Sequence, residues 1–281
     1  MLDHTSSEGV VPMSGVLAKL YAFLYLRGFR VWVSYRTQMV LNVLSWVLPV
    51  FTYYFVGTSL GERITTSVHI MSYTSFFVVG LAFQGYVSSS IVTISQRLRN
   101  EQLYGTLEYY VLSPVGVFGF LTYSAVWGFT LNTLNAAVIL AVGAGLGVSY
   151  SGANMLGAAI LVLMLVASTF GIGMMSAALV MVTKQGNPIS FFFSTFTTLM
   201  SGTVFPVNAL PYVVRLVSYA LPLTWALDGL RLALLQGATI IQLSPYITIM
   251  GVFDLVTIPL GAAVYKLCFD YVRRKGTISQ Y

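Results

Sequence analysis

Charged residues are scarce in this chain, and so are cysteine and histidine. Of 281 residues, 14 are Lys or Arg and 8 are Asp or Glu, which makes 8% against about a quarter in an average soluble protein. That shortage excludes a water-soluble surface, and with it soluble enzymes, nucleic-acid-binding modules and disordered proteins. The single cysteine, Cys268, excludes an internal disulfide and a cysteine-cluster metal site, and two histidines, His4 and His69, exclude a histidine-rich one.

Apolar residues take the place of the missing charge. They make up 57% of the chain, with 18 Phe and 18 Tyr, and the mean hydropathy is +0.82. Most of such a chain has to face lipid or other apolar segments, so the composition predicts an integral membrane protein. The net charge of +6 is spread thinly beside apolar stretches, which indicates membrane topology and no nucleic-acid partner.

The chain also lacks the motifs of ATP hydrolysis and of hydrolytic catalysis. A phosphate-binding loop needs Gly-Lys followed by Ser or Thr, and none of the four lysines follows a glycine. Neither histidine has an obvious nucleophile as its partner, so a catalytic triad is not predicted. With no catalytic residue and no metal site, the sequence points to a transport, channel or receptor role.

Long uncharged runs predict an all-α membrane protein with six transmembrane helices. An apolar helix of about 20 residues crosses the hydrocarbon core, and a Gly, Ser and Asn cluster at 143–154 divides the longest run into two spans. These spans make up one transmembrane domain over residues 37–272. The predicted spans are 37–61, 64–96, 118–142, 155–181, 189–204 and 246–265.

The segment between the fifth and sixth spans, 205–237, is apolar but interrupted by prolines and a glycine. Those residues break a helix, so the segment is too interrupted for one crossing. Short helices that enter the membrane and return are tolerated where protein buries their backbone. We therefore predict a re-entrant helical hairpin over 205–237.

The N-terminal region is predicted to lie outside the membrane core. Residues 1–15 form a mobile cytoplasmic N-terminus, and 16–36 has helical periodicity. On a helical wheel, Lys19, Arg27 and Arg30 fall within about 80° of one another, with Leu20 and Leu24 elsewhere. This pattern predicts an amphipathic helix in the cytoplasmic interface; the alternative is a simple extension of the first span.

Basic residues are distributed unequally between the two sides of the six-span arrangement. One side holds eleven Lys and Arg and the other three. Because cytoplasmic loops carry the excess of Lys and Arg, both termini are predicted to be cytoplasmic, including a tail at 273–281. The three residues on the outer side are Arg63, Arg215 and Arg231.

The connector between the second and third spans, 97–114, has mixed charge. We expect a helix to about Tyr104, a break at Gly105, and a second short helix that stops before Pro114. A rigid element of this kind suits docking to a soluble partner, and the alternative is a solvated turn.

Two motifs of this chain resemble those of type-2 ABC exporter permeases. The first consists of Glu101, Gly105-Thr106-Leu107-Glu108 and Leu112-Ser113-Pro114. The second consists of Ser201-Gly202-Thr203-Val204-Phe205-Pro206, Leu210-Pro211, Leu221-Pro222-Leu223-Thr224, Asp228 and Arg231. Both occur in order at the predicted topological positions, and the resemblance covers about residues 16–274.

The resemblance implies a half-transporter in the plasma (inner) membrane of a prokaryote. The membrane subunit has six spans and pairs with a second membrane subunit, which we expect to be a second copy in a homodimer. Two separate ATP-binding-cassette ATPase subunits dock on the cytoplasmic side and hold ATP and Mg. Because the ATPase subunits hydrolyse the ATP, the resemblance implies that this chain is a multi-pass permease, that it is no enzyme, and that it carries no cofactor of its own.

The resemblance also implies roles for individual residues. The coupling helix that seats in a cleft of the ATPase subunit corresponds to Arg97, Arg99, Glu101, Tyr104, Gly105, Thr106, Leu107 and Glu108. The re-entrant hairpin is marked by Phe205, Pro206, Pro211, Pro222, Asp228 and Arg231. The chain departs from the family at Leu103 and Tyr104, where a second acid is common before the glycine.

The Gly-Thr-Leu-Glu form of the connector resembles the branch that exports drugs, lipids and other amphipathic molecules. A polysaccharide or glycolipid exporter is the alternative. Candidates for a substrate path are Phe192, Phe196, Thr197 and Asp254, although aromatic stripes more often serve packing or lipid contact.

Two other classes compete with an exporter. In an ion-coupled secondary transporter, Asp254 in the sixth span would be the coupling site, but no inverted repeat is visible in the sequence. A membrane anchor or assembly factor without transport activity is the third hypothesis.

Overall fold

A computed structural model of the protein describes residues 21–68, 72–106, 109, 116–183 and 187–275. Within these ranges the chain forms helices and short turns and no strand, which confirms the predicted all-α class. A π-helical segment, Ala22–Phe29, precedes the first α-helix, and a single 3-10 turn is formed by Val207–Ala209. The α-helices are α1 (Arg30–Ser34), α2 (Arg36–Val68), α3 (Tyr73–Leu103), α4 (Gly116–Gly145), α5 (Met155–Thr183), α6 (Asn187–Met200), α7 (Tyr212–Tyr219), α8 (Pro222–Leu235) and α9 (Ile240–Arg274).

Five of the helices in the described ranges are long and apolar enough to cross a membrane. They are α2 over its first part, Arg36–Ser59, α3, α4 from Gly119 onward, α5 and α9. These helices correspond to the first four predicted spans and the sixth. A multi-pass membrane protein is therefore confirmed.

The predicted fifth span, 189–204, corresponds to α6, which is shorter than expected. Its 14 residues end at Met200, and a helix of that length rises about 21 Å against a hydrocarbon thickness of about 30 Å. A turn at Ser201 and Gly202 follows. Because α6 alone does not reach across the bilayer, the count of six spans stays a prediction.

The N-terminal segment is a separate element from the first span. Tyr35 interrupts the helix between α1 and α2, with φ −95° and ψ 71°. Upstream, Gly28 is buried against the ring of Trp127 in α4, and a Cβ at this glycine would lie 2.6 Å from Cδ2 of that ring. The break argues against a simple extension of the first span, while the placement of 16–36 in the membrane interface stays a prediction, with 1–20 outside the described residues.

α3 is the centre of the bundle. It packs against α2, α4, α5, α6 and α8, and 67% of its most apolar stretch is buried, against 6% for α2. Apolar residues around α3 form two clusters along its length. The outer cluster includes Phe77 and Tyr86, and the inner cluster includes Ile94 and Leu98. The names outer and inner refer to the membrane orientation that the sequence predicts.

α5 and α9 cross at two glycines. A Cβ at Gly171 would overlap the backbone carbonyl of Thr257, and a Cβ at Gly261 would overlap the carbonyl oxygen of Gly171. The two backbones therefore lie in direct contact, as small residues permit in membrane helix pairs. This close crossing holds the last helix against the bundle.

Gly261→Ala tests that crossing, and Gly251→Ala on the same helix is its matched control. The new methyl group at 261 meets a backbone atom that cannot rotate away, so we expect a loss of about 1–3 kcal/mol in the free energy of unfolding. At 251 the nearest atom is the flexible Cε of Met164 at 3.7 Å, so alanine should be neutral or stabilise by up to about 1 kcal/mol. Thermal unfolding of the purified variants, followed by tryptophan fluorescence, measures both, and equal transition temperatures would contradict the close crossing.

Candidate functional site

The connector after α3 begins with a defined helix end. The N–H of Thr106 donates to the carbonyl of Glu101 at 3.0 Å, and the N–H of Gly105 donates to that of Gln102 at 3.2 Å. These two bonds form a Schellman motif, in which glycine adopts the left-handed conformation. Gly105 has φ 67°, so the predicted helix end near Tyr104 and break at Gly105 are present.

At this helix end some side chains are buried in the bundle and others are exposed. Leu98 and Gln102 are buried, whereas Leu103 is 49% and Tyr104 77% exposed. The carboxylate of Glu101 accepts a hydrogen bond from the hydroxyl of Thr106. One face thus anchors the connector while its tip presents an apolar and an aromatic side chain.

The remaining predicted coupling residues are only partly described. Arg97 and Arg99 lie on the last turns of α3 and are half-buried. The segment continues to Tyr109, whose N–H donates to the carbonyl of Thr106 at 3.1 Å. Leu107, Glu108 and residues 110–114 lie outside the described residues, so a second short helix before Pro114 stays a prediction.

The candidate substrate-path residues lie on two helices that pack on different partners. α6 packs against α3 and α7, and α9 packs against α5 and α8. Phe192 is 63% exposed and stacks on the ring of Phe196 at 6.0 Å between centroids, while Thr197 is buried. The described contacts therefore do not join these α6 residues to Asp254, and the path stays a prediction.

Asp254 lies within α9 and is half-buried. Its Oδ1 atom is buried, and no hydrogen-bond partner for it occurs among the described residues. An acid at such a depth is costly unless it is protonated or paired. Within the described residues, Oδ1 of Asp254 therefore has no structural hydrogen bond.

Arg231 of α8 forms the densest polar contact in the described part of the chain. Its Nη2 donates to the carbonyl oxygens of Gly202 at 2.8 Å and Thr203 at 3.4 Å, and its Nε donates to that of Phe76 at 3.3 Å. Its Nη1 pairs with Oδ1 of Asp228 at 3.4 Å. We call this set of contacts the arginine clamp; it joins α3, α8 and the turn after α6.

Burial and the aromatic ring of Phe76 complete the clamp. Arg231 is 8% exposed, and its guanidinium carbon lies 3.5 Å from the centroid of the Phe76 ring, a favourable cation–π position. Burial raises the pKa of the Asp228 carboxyl above its usual range, and the adjacent guanidinium opposes that rise. Gly80 permits the approach, because a Cβ there would overlap the carbonyl oxygen of Thr203.

The segment of the predicted hairpin forms two short helices, α7 and α8, and prolines mark their joints. Pro206 precedes the turn Val207–Ala209, Pro211 precedes α7, and Pro222 is the first residue of α8, where its missing N–H costs nothing. Phe205 is half-buried. α7 is largely exposed, but α8 buries Leu223, Ala226, Leu227, Leu230 and Ala233 completely. Re-entry of the pair into the membrane stays a prediction.

A cavity of about 520 Å³ lies beside the clamp. Its lining includes Asp228 and Arg231 of α8, Ser72 before α3, Ser149 of the α4–α5 turn and Tyr246 of α9. Sequence reasoning found Asp228 and Arg231 only through the resemblance, and it missed the three others. They come from separate segments, and a lone serine or tyrosine carries no signal of a shared cavity.

Removing the guanidinium should destabilise the end of the bundle that contains α7, α8 and the start of α3. We expect Arg231→Met to cost about 3–5 kcal/mol in the free energy of unfolding, because three buried carbonyls lose their donor and Asp228 loses its counter-charge. Arg231→Lys keeps the charge but loses the planar fork of donors. Its loss in the free energy of unfolding should therefore lie between zero and that of Arg231→Met.

The control is Arg215→Met on α7, whose Nη2 donates to the carbonyl oxygen of Asn208 at 2.6 Å at a more exposed position. It should cost about 1 kcal/mol. Thermal unfolding in detergent compares the three variants, and equal losses at 231 and 215 would remove the special role of the clamp.

Comparisons with known proteins agree with the resemblance. A family model described as ABC-2 type transporter matches residues 22–235, which include the connector, the arginine clamp and both short helices α7 and α8. The chain is similar to the linearmycin resistance permease protein LnrN of Bacillus subtilis (strain 168), with 26% identity over 144 residues. That alignment covers 51% of this chain and 32% of the relative, so the similarity extends over about a third of the relative's length. The chain belongs to the ABC-2 type transporter family, as a transmembrane permease.

Proposed function

We propose that this chain is the permease subunit of an exporter that moves an amphipathic or hydrophobic molecule outward across the plasma membrane of a prokaryote. A separate nucleotide-binding subunit binds ATP and Mg and hydrolyses the ATP. The observation that carries this proposal is the family match over 22–235. The absence of a Gly-Lys pair from the sequence agrees with ATP hydrolysis in another subunit.

The proposed topology has six crossings with both termini in the cytoplasm. The five long helices supply five of them, and α6 with the turn that follows it supplies the other. The clamp supports this arrangement, because Arg231 binds the carbonyls of Gly202 and Thr203 at the end of α6. It thereby ties that end of α6 to the N-terminal end of α3, where Phe76 lies.

The proposed partner within the membrane is a second copy of this chain. α2 supports this assignment, because it exposes large apolar side chains over residues 40–56. Leu48 is 61% and Phe55 63% exposed, and only 6% of its most apolar stretch is buried. Lipid and a second subunit are the two surroundings that such a face accepts.

The proposed contact with the ATPase subunit is the connector tip. Leu103 and Tyr104 project from a helix end that is held by the Schellman motif, while Leu98 and Gln102 anchor it. A rigid tip transmits motion better than a flexible loop, because less of the displacement is lost in bending. α3 then carries the motion over its 31 residues, about 46 Å at 1.5 Å each, towards the clamp.

ATP acts in this mechanism through the difference in stability between two states. Closure of the ATPase pair displaces the connectors, and α3 moves with them as the most buried helix of the bundle. A ligand shifts such an equilibrium only as far as its affinities for the two states differ. The connector contact therefore has to change between the open and the closed ATPase.

An amphipathic substrate of drug or lipid type is supported by two observations. α6 exposes Phe191, Phe192 and Phe193, at 72%, 63% and 46% of their surface. The relative LnrN is named for resistance to linearmycin. Aromatic faces suit apolar and amphipathic molecules, so we assign the substrate path to the exposed side of α6.

Tyr104→Ala should uncouple ATP hydrolysis from transport without destabilising the permease. The side chain is 77% exposed and contributes little to the folded subunit, but it projects at the proposed docking tip. We expect at least about a tenfold loss of ATP-driven transport in proteoliposomes that contain both subunits, the size typical of an interface aromatic. Tyr212→Ala, 73% exposed on α7 at the opposite end of the bundle, is the control and should keep wild-type transport. Full transport by Tyr104→Ala would contradict docking at this residue, and ATP hydrolysis by the pure permease would contradict the proposed function.

Accessibility of introduced cysteines tests the proposed orientation. In a variant that lacks Cys268, cysteine at 208 or 212 should react with a membrane-impermeant thiol reagent on intact cells. Cysteine at 100, an exposed position on the last turns of α3, or at 185 should react only after the membrane is opened, since the larger count of Lys and Arg predicts that those positions are cytoplasmic. Labelling at 185 and none at 208 on intact cells would reverse the orientation.

A further inference from the structure

The cavity beside the arginine clamp has preformed walls. The N–H of Asn154 donates to the carbonyl of Ala233 at 2.8 Å, and its side-chain amide donates to that of Ala238 at 2.8 Å. These bonds fix the α4–α5 turn against the end of α8. A volume of about 520 Å³ lies within the range of about 300–1,000 Å³ that is usual for small-molecule sites.

The charges at the cavity are balanced. Asp228 lines it with a side chain that is 44% exposed, and only Oδ1 is paired with Arg231. Within the described residues no hydrogen bond is made to Oδ2. The Nε and Nη2 atoms of the guanidinium donate to backbone carbonyls. The carboxylate thus keeps acceptor capacity, while its negative charge is already neutralised by the arginine.

Among the described residues, the other polar groups of the lining are neutral and make hydrogen bonds in both directions. Ser72, Ser75 and Ser149 carry hydroxyls, and Gln236 carries an amide, each of which donates and accepts. Tyr246 adds an aromatic ring that packs on Trp225 at 6.5 Å between centroids. Several adaptable hydrogen-bonding groups around one carboxylate and one ring match a molecule that carries many hydroxyls.

We propose that this cavity binds a neutral polyhydroxylated group, either a sugar or a polyol. An apolar ligand would leave the serines and the carboxylate without water or partners. A cation would lie beside the guanidinium after Asp228 has already been neutralised, and an anion would face the carboxylate. Hydroxyls satisfy Oδ2 of Asp228 and the serines without adding charge.

This site is separate from the proposed substrate path on α6, and binding to it requires no ATPase subunit. The hydroxyl-rich group has two sources, a soluble sugar or the head group of a glycolipid. The test therefore uses the full-length permease alone in lipid nanodiscs, observed by saturation-transfer NMR. The soluble probe is methyl β-glucoside, the lipid probe is a glucosyl-diacylglycerol in the nanodisc, and choline is the cationic comparison.

Saturation transfer to methyl β-glucoside or to the glucosyl head group is expected. A signal from the first identifies a soluble sugar as the source, and a signal from the second identifies a glycolipid. Ser149→Phe should abolish it by filling the cavity. Ser151→Phe is the matched control, because Ser151 bonds to Ser149 at 3.1 Å on the same exposed turn but does not line the cavity. Asp228→Asn should weaken binding about tenfold, as expected when a charged acceptor is lost.

Three results would overturn the proposal. They are transfer to neither glucosyl probe, transfer to choline in preference to both, or equal signals from Ser149→Phe and Ser151→Phe. Thermal unfolding of each variant shows whether it is folded, and the loop variants at 149 and 151 test the location even if Asp228→Asn does not fold.

Discussion

The end of this protein that contains α8 and the start of α3 depends on one buried cation. Arg231 places a guanidinium among the carbonyls of Phe76, Gly202 and Thr203, against the Phe76 ring and beside Asp228. A buried charge is tolerated only when its hydrogen bonds are satisfied, so the three segments have to keep their positions. The short α6, the hairpin and the start of α3 are held together by that requirement.

α3 connects this clamp to the connector at the other end of the bundle. Phe76 lies on its first turn, and the Schellman motif at Gly105 closes its last. Between them the helix is packed on most sides by other helices of the bundle, which leaves little room for bending. In the proposed mechanism, displacement of the connector by the ATPase therefore reaches the outer hairpin through a single helix.

Much of this architecture is predictable from the sequence, and the remainder is not, for physical reasons. Hydrophobic runs predict the five long helices because lipid requires about 20 apolar residues per crossing, and Gly105 predicts the helix end because few other residues adopt its φ. The length of α6 is not predictable, since the uncharged run continues past its end at Met200 and the first proline after it is Pro206. The clamp's acceptors are backbone carbonyls, which every residue carries, so Arg231 stands out only through the resemblance. The cavity is lined by serines from segments that are distant in the sequence, so no local sequence pattern predicts it.

Hydrogen–deuterium exchange of the assembled transporter, with and without ATP, tests the link between the connector and the clamp most directly. If α3 transmits the motion, ATP should change amide exchange both at 97–106 and at 201–231. Arg231→Lys should keep the change at the connector and reduce it at 201–231. A change confined to the connector in the wild-type complex would contradict transmission through α3 and the clamp.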